Sequence, residues 1–125
     1  LYEEFPDDAE VANSSGYFLA DLGEQLDLAE RLIRQALAAE PHNGAYLDSL
    51  GWVFYQQGRY EEAFDYLVRA TNERGEDPVI LEHLGRTLAR LGRPEEAVDM
   101  LKRALRNGGD PEVLQPLIAE LNVDD

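Results

Sequence analysis

The sequence predicts an all-α chain built as a stack of helix pairs. Leu47, Leu50, Gly51, Phe54, Gly58, Ala63, Leu67 and Ala70 are matched thirty-four residues later by Leu81, Leu84, Gly85, Leu88, Gly92, Ala97, Leu101 and Ala104. Within each copy the apolar residues fall three, four and seven apart, the spacing that gives a helix one buried face. Glycine and proline recur at fixed offsets, as helix boundaries do. A period between 20 and 50 residues is the mark of units that bury their faces only against their neighbours.

Taken in order, Leu1 to Phe5 reads as the last turn of a helix from a preceding repeat, broken by Pro6-Asp7-Asp8, so residues 1–8 are expected to close a truncated copy and the chain to be a piece of a longer protein. The first full repeat spans 9–43. Its first helix runs from about Asp8 to Leu22. Gly16 and Gly23 lead Gly51 and Gly58 by 35 residues, whereas Leu26, Ala29, Ile33 and Ala36 lead their counterparts by 34, so one extra residue sits in the turn near Glu24 and Gln25. The second helix stops before Pro41, which lacks the N–H to continue it. The second repeat spans 44–77 and begins after the turn His42-Asn43-Gly44, with Asn43 as N-cap. The third spans 78–110; Asp77 caps it and Pro78 takes the first helical position, where its missing N–H does no harm. Gly108-Gly109-Asp110-Pro111 repeats the device. Residues 111–125 form a C-terminal helix and tail, with Leu114, Leu117, Ile118 and Leu121 on one face, as a cover for the end of the stack or the start of a fourth repeat. Pro116 is expected to kink or shorten it.

Each recurring residue type has a packing reason. Gly51 and Gly85 stand where the first helix of a pair must approach Ala63 and Ala97 on the second, because interaxial distance is set by the side chains at the contact. Leu47, Leu50, Phe54, Leu67, Leu81, Leu84, Leu88 and Leu101 fill the space between pairs. Gly58 and Gly92 accept the left-handed geometry after a helix C-terminus. Glu61-Glu62 and Glu95-Glu96 then sit in the next first turn, where the helix dipole favours negative charge.

The pattern Leu-x2-Leu-Gly-x2-(aromatic or Leu), followed by Ala-x3-Leu, resembles the tetratricopeptide repeat, and the likeness covers residues 9 to about 110. It implies a right-handed α-α superhelical solenoid of three helix pairs plus the C-terminal helix, with a concave groove lined by the first helix of each pair that binds peptides or partner domains. On that geometry the groove positions are Asn13, Tyr17, Ala20 and Asp21 in the first repeat, Asp48, Trp52, Tyr55 and Gln56 in the second, and Glu82, Arg86, Ala89 and Arg90 in the third. Aromatics and arginines are enriched at binding hot spots, so Trp52 and Tyr55 read as apolar anchors and Arg86 and Arg90 as a grip for a carboxylate. The packing alternatives stand beside these: Trp52 and Tyr17 filling space between repeats, and the arginines pairing with Glu82 at helical spacing. Chaperone-tail binders of the family place Lys and Asn in the groove; only Asn13 matches, so that specificity is not expected. The wording around Gly16-Tyr17-Phe18 and Tyr46 to Trp52 is similar to bacterial multi-repeat proteins, some of them in the cell envelope; the compartment stays open between cytoplasm and envelope.

Composition narrows the partner class. Eleven basic against 26 acidic residues give a net charge of −15, the wrong sign for neutralising phosphates of nucleic acid or for an anionic membrane surface. No run reaches the roughly 18 to 20 apolar residues of a membrane span. Cysteine is absent, which removes disulfides and thiolate metal sites. His42 and His83 lie in different repeats with no helical His-x3-His pair, and no phosphate loop or nucleophile elbow appears. The expectation is a non-enzymatic module without cofactor or metal, binding a protein or peptide. The alternatives are a structural spacer or self-association segment, using exposed repeat ends, and a regulatory part of a longer enzyme.

Overall fold

The computed structural model describes residues 8–122, which hold seven helices and no strand: α1 Ala9–Leu22, α2 Leu26–Ala39, α3 Gly44–Gln56, α4 Tyr60–Arg74, α5 Pro78–Arg90, α6 Pro94–Arg106 and α7 Pro111–Leu121. The helix expected at Leu1 to Phe5 lies outside the described residues. Helices α1 and α2, α3 and α4, and α5 and α6 pack as antiparallel pairs. Each pair then stacks on the next, α1 and α2 against α3, α4 against α5, and α6 against α7.

Local chemistry sets the alternation. The first helix of every pair, and α7, starts at a carboxylate or amide cap: Asp8, Asn43, Asp77 and Asp110 each accept from one or two first-turn N–H groups, satisfying donors that have no partner inside the helix. The second helices have no side-chain cap. Their turns begin at a left-handed glycine, Gly23, Gly58 or Gly92, and the next N–H returns to the end of the first helix, as Arg59 does to Phe54 at 2.8 Å and Arg93 to Leu88 at 2.9 Å. Arg59 and Arg93 then fork onto Glu62 and Glu96 in the first turn. The extra residue of the first turn is absorbed by Gln25, the one non-glycine with positive φ (49°) among the described residues, a geometry that costs an L-residue roughly 1–2 kcal/mol.

The close approach inside each pair is enforced by glycine. A Cβ on Gly51 would lie 2.7 Å from Leu67 Cγ and 3.3 Å from the Ala63 carbonyl; on Gly85 it would meet Leu101 at 2.7 Å and the Ala97 carbonyl at 3.2 Å. So the alanines give room through their backbone, and the leucine one turn on closes over the glycine. Leu32, Ile33, Leu50, Val53, Phe54 and Leu67 are fully buried between the first two pairs, with Leu84 and Leu88 extending the core. A second cluster of Leu81, Leu101, Ala104 and Leu114 forms where α7 covers α6. Helix α7 runs through Pro116 without a break; buried Leu114 anchors its first turn, and Leu117, Ile118 and Leu121 beyond the proline are held on the same cluster.

Candidate partner-binding groove

Three successive first helices are joined on one face by a buried polar-aromatic cluster. Trp52 is only 8% exposed. Its indole Nε1–H donates to Asp21 Oδ1 of α1 at 3.3 Å. Its ring stacks on Tyr55 of the same helix, centroids 4.8 Å apart and 7° between planes, and on His83 of α5 at 4.1 Å and 16°. His83 Nδ1–H donates to Asp48 Oδ1 of α3 at 2.8 Å, both side chains buried. Gln56 Nε2–H donates to the Ala20 carbonyl at 2.8 Å. Buried polar groups are costly unless paired; here the pairs bridge neighbouring repeats and fix their register.

Around this cluster the groove positions divide into two clefts. The first, about 570 Å³, lies between α1 and α3 and is lined by Asn13, Tyr17, Phe18, Asp21, Asp48 and Val79, with Ser14, Ala45 and Ser49. Asn13 Oδ1 is enclosed there and accepts no hydrogen bond among the described residues. Burial, and then the carboxylates of Asp48, Asp21 and Glu82, push the Tyr17 phenol up to about 12. Phe18 is 64% and Val79 49% exposed at the rim. The second cleft, about 240 Å³, is lined by Tyr55, Arg86 and Arg90 together with Leu117, Glu120 and Leu121 of α7. Trp52 touches Asp21 of the first cleft and Tyr55 of the second, so its ring stands between them.

The twelve positions expected in one groove therefore take different parts. Asn13, Tyr17, Asp21 and Asp48 line the first cleft; Tyr55, Arg86, Ala89 and Arg90 line the second; Ala20, Trp52, Gln56 and Glu82 line neither. Trp52 is a buried strut, because indole and imidazole stack across the α3–α5 contact. The two arginines engage different partners: Arg86 Nε–H donates to Glu82 at 2.9 Å, four residues back, while Arg90 lies 6.0 Å from the Tyr55 and 5.7 Å from the Tyr60 ring centroid. His83 in the cluster and Phe18 and Val79 at the cleft rim are members that sequence reasoning missed. Asp48 and His83 are 35 residues apart, one repeat plus one. Positions a repeat apart sit side by side on stacked helices, so that interval was the available signal.

A third apolar cleft, about 450 Å³, opens away from this cluster between α4 and α6, over Phe64, Val68, Glu95, Glu96, Asp99 and Met100. Two of its three acids have arginine partners: Glu96 takes two hydrogen bonds from Arg93, and Asp99 lies 4.0 Å from Arg103. Among the described residues no group of three or more His, Cys, Asp or Glu is placed to hold a metal. No described helix is long and apolar enough to cross a membrane.

Comparison with known proteins agrees with this geometry. Two family models, each described as a tetratricopeptide repeat, match residues 54–121 and 19–79. The TPR repeat-containing protein PA4667 of Pseudomonas aeruginosa is 38% identical over 78 residues, 62% of this chain and 13% of that protein, so the chain spans a small part of its curated relative. The pilF protein of Pseudomonas aeruginosa superposes with a TM-score of 0.81 at 27% identity, over 95% of this chain and 54% of that one. The first TPR domain of Spaghetti (RPAP3), solved bound to an HSP90 peptide, gives a TM-score of 0.83 at 16% identity over 93% and 91% of the two chains, a likeness of fold. With one family model covering more than half of the sequence and the helix pairs stacked as that repeat requires, the chain belongs to the tetratricopeptide repeat family.

Proposed function

We propose that this segment is a non-enzymatic interaction module whose groove, on the face of α1, α3 and α5, docks an extended peptide or a helix of a partner protein. The observation that carries this reading is the first cleft. It combines a volume of about 570 Å³ with a partly exposed aromatic, Tyr17, and two exposed apolar rim residues, Phe18 and Val79. Concave, largely apolar sites with a few polar groups are the usual ligand sites. Tyr55, Arg86 and Arg90 supply a second contact further along. Asp48, Trp52 and His83 hold the walls at fixed spacing, and such preorganisation lowers the ordering cost of binding.

The test is capture of partners from cells by the wild-type segment, a Ser14→Trp variant and a Lys102→Trp control. Ser14 and Lys102 are both exposed, so neither change touches the core, but only the first fills the cleft. A partner lost with Ser14→Trp and kept with Lys102→Trp supports the groove. A partner kept by both moves the site, with the α4–α6 cleft next in line.

A second reading, self-association through the outer face of α1, has its own support. Val11 and Leu22 are 48% and 56% exposed. Tyr46, the α3 counterpart of Val11, is buried against α1 and α2. If that face joins two copies, sedimentation equilibrium will give a dimer that Val11→Glu with Leu22→Glu dissociates. A monomer at 100-micromolar-scale concentrations, on the order of those at which weak contacts form, removes the reading.

A further inference from the structure

We infer that the α1–α3 cleft selects a basic segment of its partner, a Lys or Arg side chain beside an apolar one. This rests on the groove reading above and names the chemistry it would recognise.

Helices α1 and α3 carry Glu10, Asp21 and Asp48 and not one Lys or Arg. No Lys or Arg lines the cleft between them. What the two cleft carboxylates have instead are uncharged or shared donors: Asp21 Oδ1 takes the Trp52 indole N–H and Asp48 Oδ1 takes His83. A carboxylate has about four lone-pair sites, so one bond apiece leaves most of the accepting capacity of the exposed Asp21 open. Elsewhere the chain does bring arginine to acid: Glu30, Glu62, Glu76, Glu82 and Glu96 each have an arginine within 3.2 Å. In the competing α4–α6 cleft Arg93 and Arg103 already face Glu96 and Asp99. The α1–α3 cleft is thus an acidic site with no arginine or lysine in its lining.

The remaining lining fits the same occupant. The raised Tyr17 phenol reports the negative field inside the cleft, with burial as the larger cause and Asp48, Asp21 and Glu82 adding to it. A neutral Tyr ring presents a face that attracts ammonium or guanidinium. Phe18 and Val79 at the rim give apolar contact to the residue beside the cation.

The experiment pans a displayed random decapeptide library on the segment, then measures recovered peptides by fluorescence anisotropy. The expected result is enrichment of Lys or Arg next to apolar residues, with affinity about tenfold weaker for Asp21→Asn/Asp48→Asn. Those amides still accept from Trp52 and His83, and a charge-assisted hydrogen bond accounts for a loss of that size. Glu95→Gln/Asp99→Asn should leave affinity within about twofold, since a distant exposed pair is screened at physiological salt. Enrichment of acidic peptides, or equal loss in both double variants, overturns the basic-segment proposal while leaving the groove reading intact. Peptides of any charge whose binding survives Ser14→Trp overturn the groove reading itself.

Discussion

Replacing His83 with alanine perturbs the cluster on which the groove's shape depends. The imidazole is 5% exposed and donates to Asp48 at 2.8 Å. Its loss strands a buried carboxylate, at a cost of about 1.5–3 kcal/mol for a hydrogen bond to a charged group. It also removes the 4.1 Å stack on Trp52, about 0.5–1.5 kcal/mol. Together His83→Ala should destabilise by roughly 2–4 kcal/mol, a large share of the 5–15 kcal/mol usual for a domain. Most of the first part is a penalty on Asp48, so Asp48→Ala/His83→Ala should cost less than the sum of the single changes, by about 1–2 kcal/mol. Urea unfolding followed by circular dichroism measures each corner of the cycle. Trp52 is the only tryptophan, so its emission reads the site separately: His83→Ala should shift it to the red and expose it to acrylamide. A cost below about 1 kcal/mol, strictly additive with Asp48→Ala, would refute the bridging argument.

Three further outcomes follow from the packing and charge. Gly51→Ala gains about 1 kcal/mol of helix propensity but drives a methyl to 2.7 Å from Leu67 Cγ, an overpacking cost of about 1–3 kcal/mol. Urea midpoints should therefore show net loss, and that loss should vanish in a Leu67→Ala background. Glu30 is pushed up by burial, but hydrogen bonds from Gln57 and Arg34 and the charges of Arg34 and Arg59 hold it net below the usual carboxylate range. Its stabilisation is present above the unfolded value and is lost as pH falls through the folded one, so the stability gap between wild type and Glu30→Gln should close on acidification below about 4.5, the ordinary value for this carboxyl. Tyr17 keeps its proton longer when folded, so stability should fall as pH rises between 10.0 and about 12, and Tyr17→Phe should flatten that limb in thermal melts.

The helix pairs were legible because their causes are local. Caps at Asn43, Asp77 and Asp110 sit beside the N–H groups they accept from, and the Gly51 and Gly85 contacts recur at a fixed phase. The slip from 35 to 34 residues located the extra turn residue that Gln25 absorbs. Pro116 lies inside α7, and the apolar face of that helix stays on the second cluster on both sides of it. The groove was legible only as positions. Whether Trp52 opens to solvent or stacks depends on His83, which reaches it from another helix. Of the two arginines, Arg86 is four residues from Glu82 and pairs with it as helical spacing dictates, while Arg90, at eight, turns to Tyr55 and Tyr60 instead. The exposure of Phe18 depends on the absence of a described neighbour over α1, which no local pattern encodes.

The central claim is that the partner lies in the α1–α3 cleft. Placing a photo-crosslinking benzoylphenylalanine at Ser14, and separately at Lys102, in the full-length protein tests this directly in cells. The account predicts a discrete partner adduct from position 14 that Asp21→Asn/Asp48→Asn diminishes, with none from position 102. An adduct from position 102 with none from position 14 would contradict it.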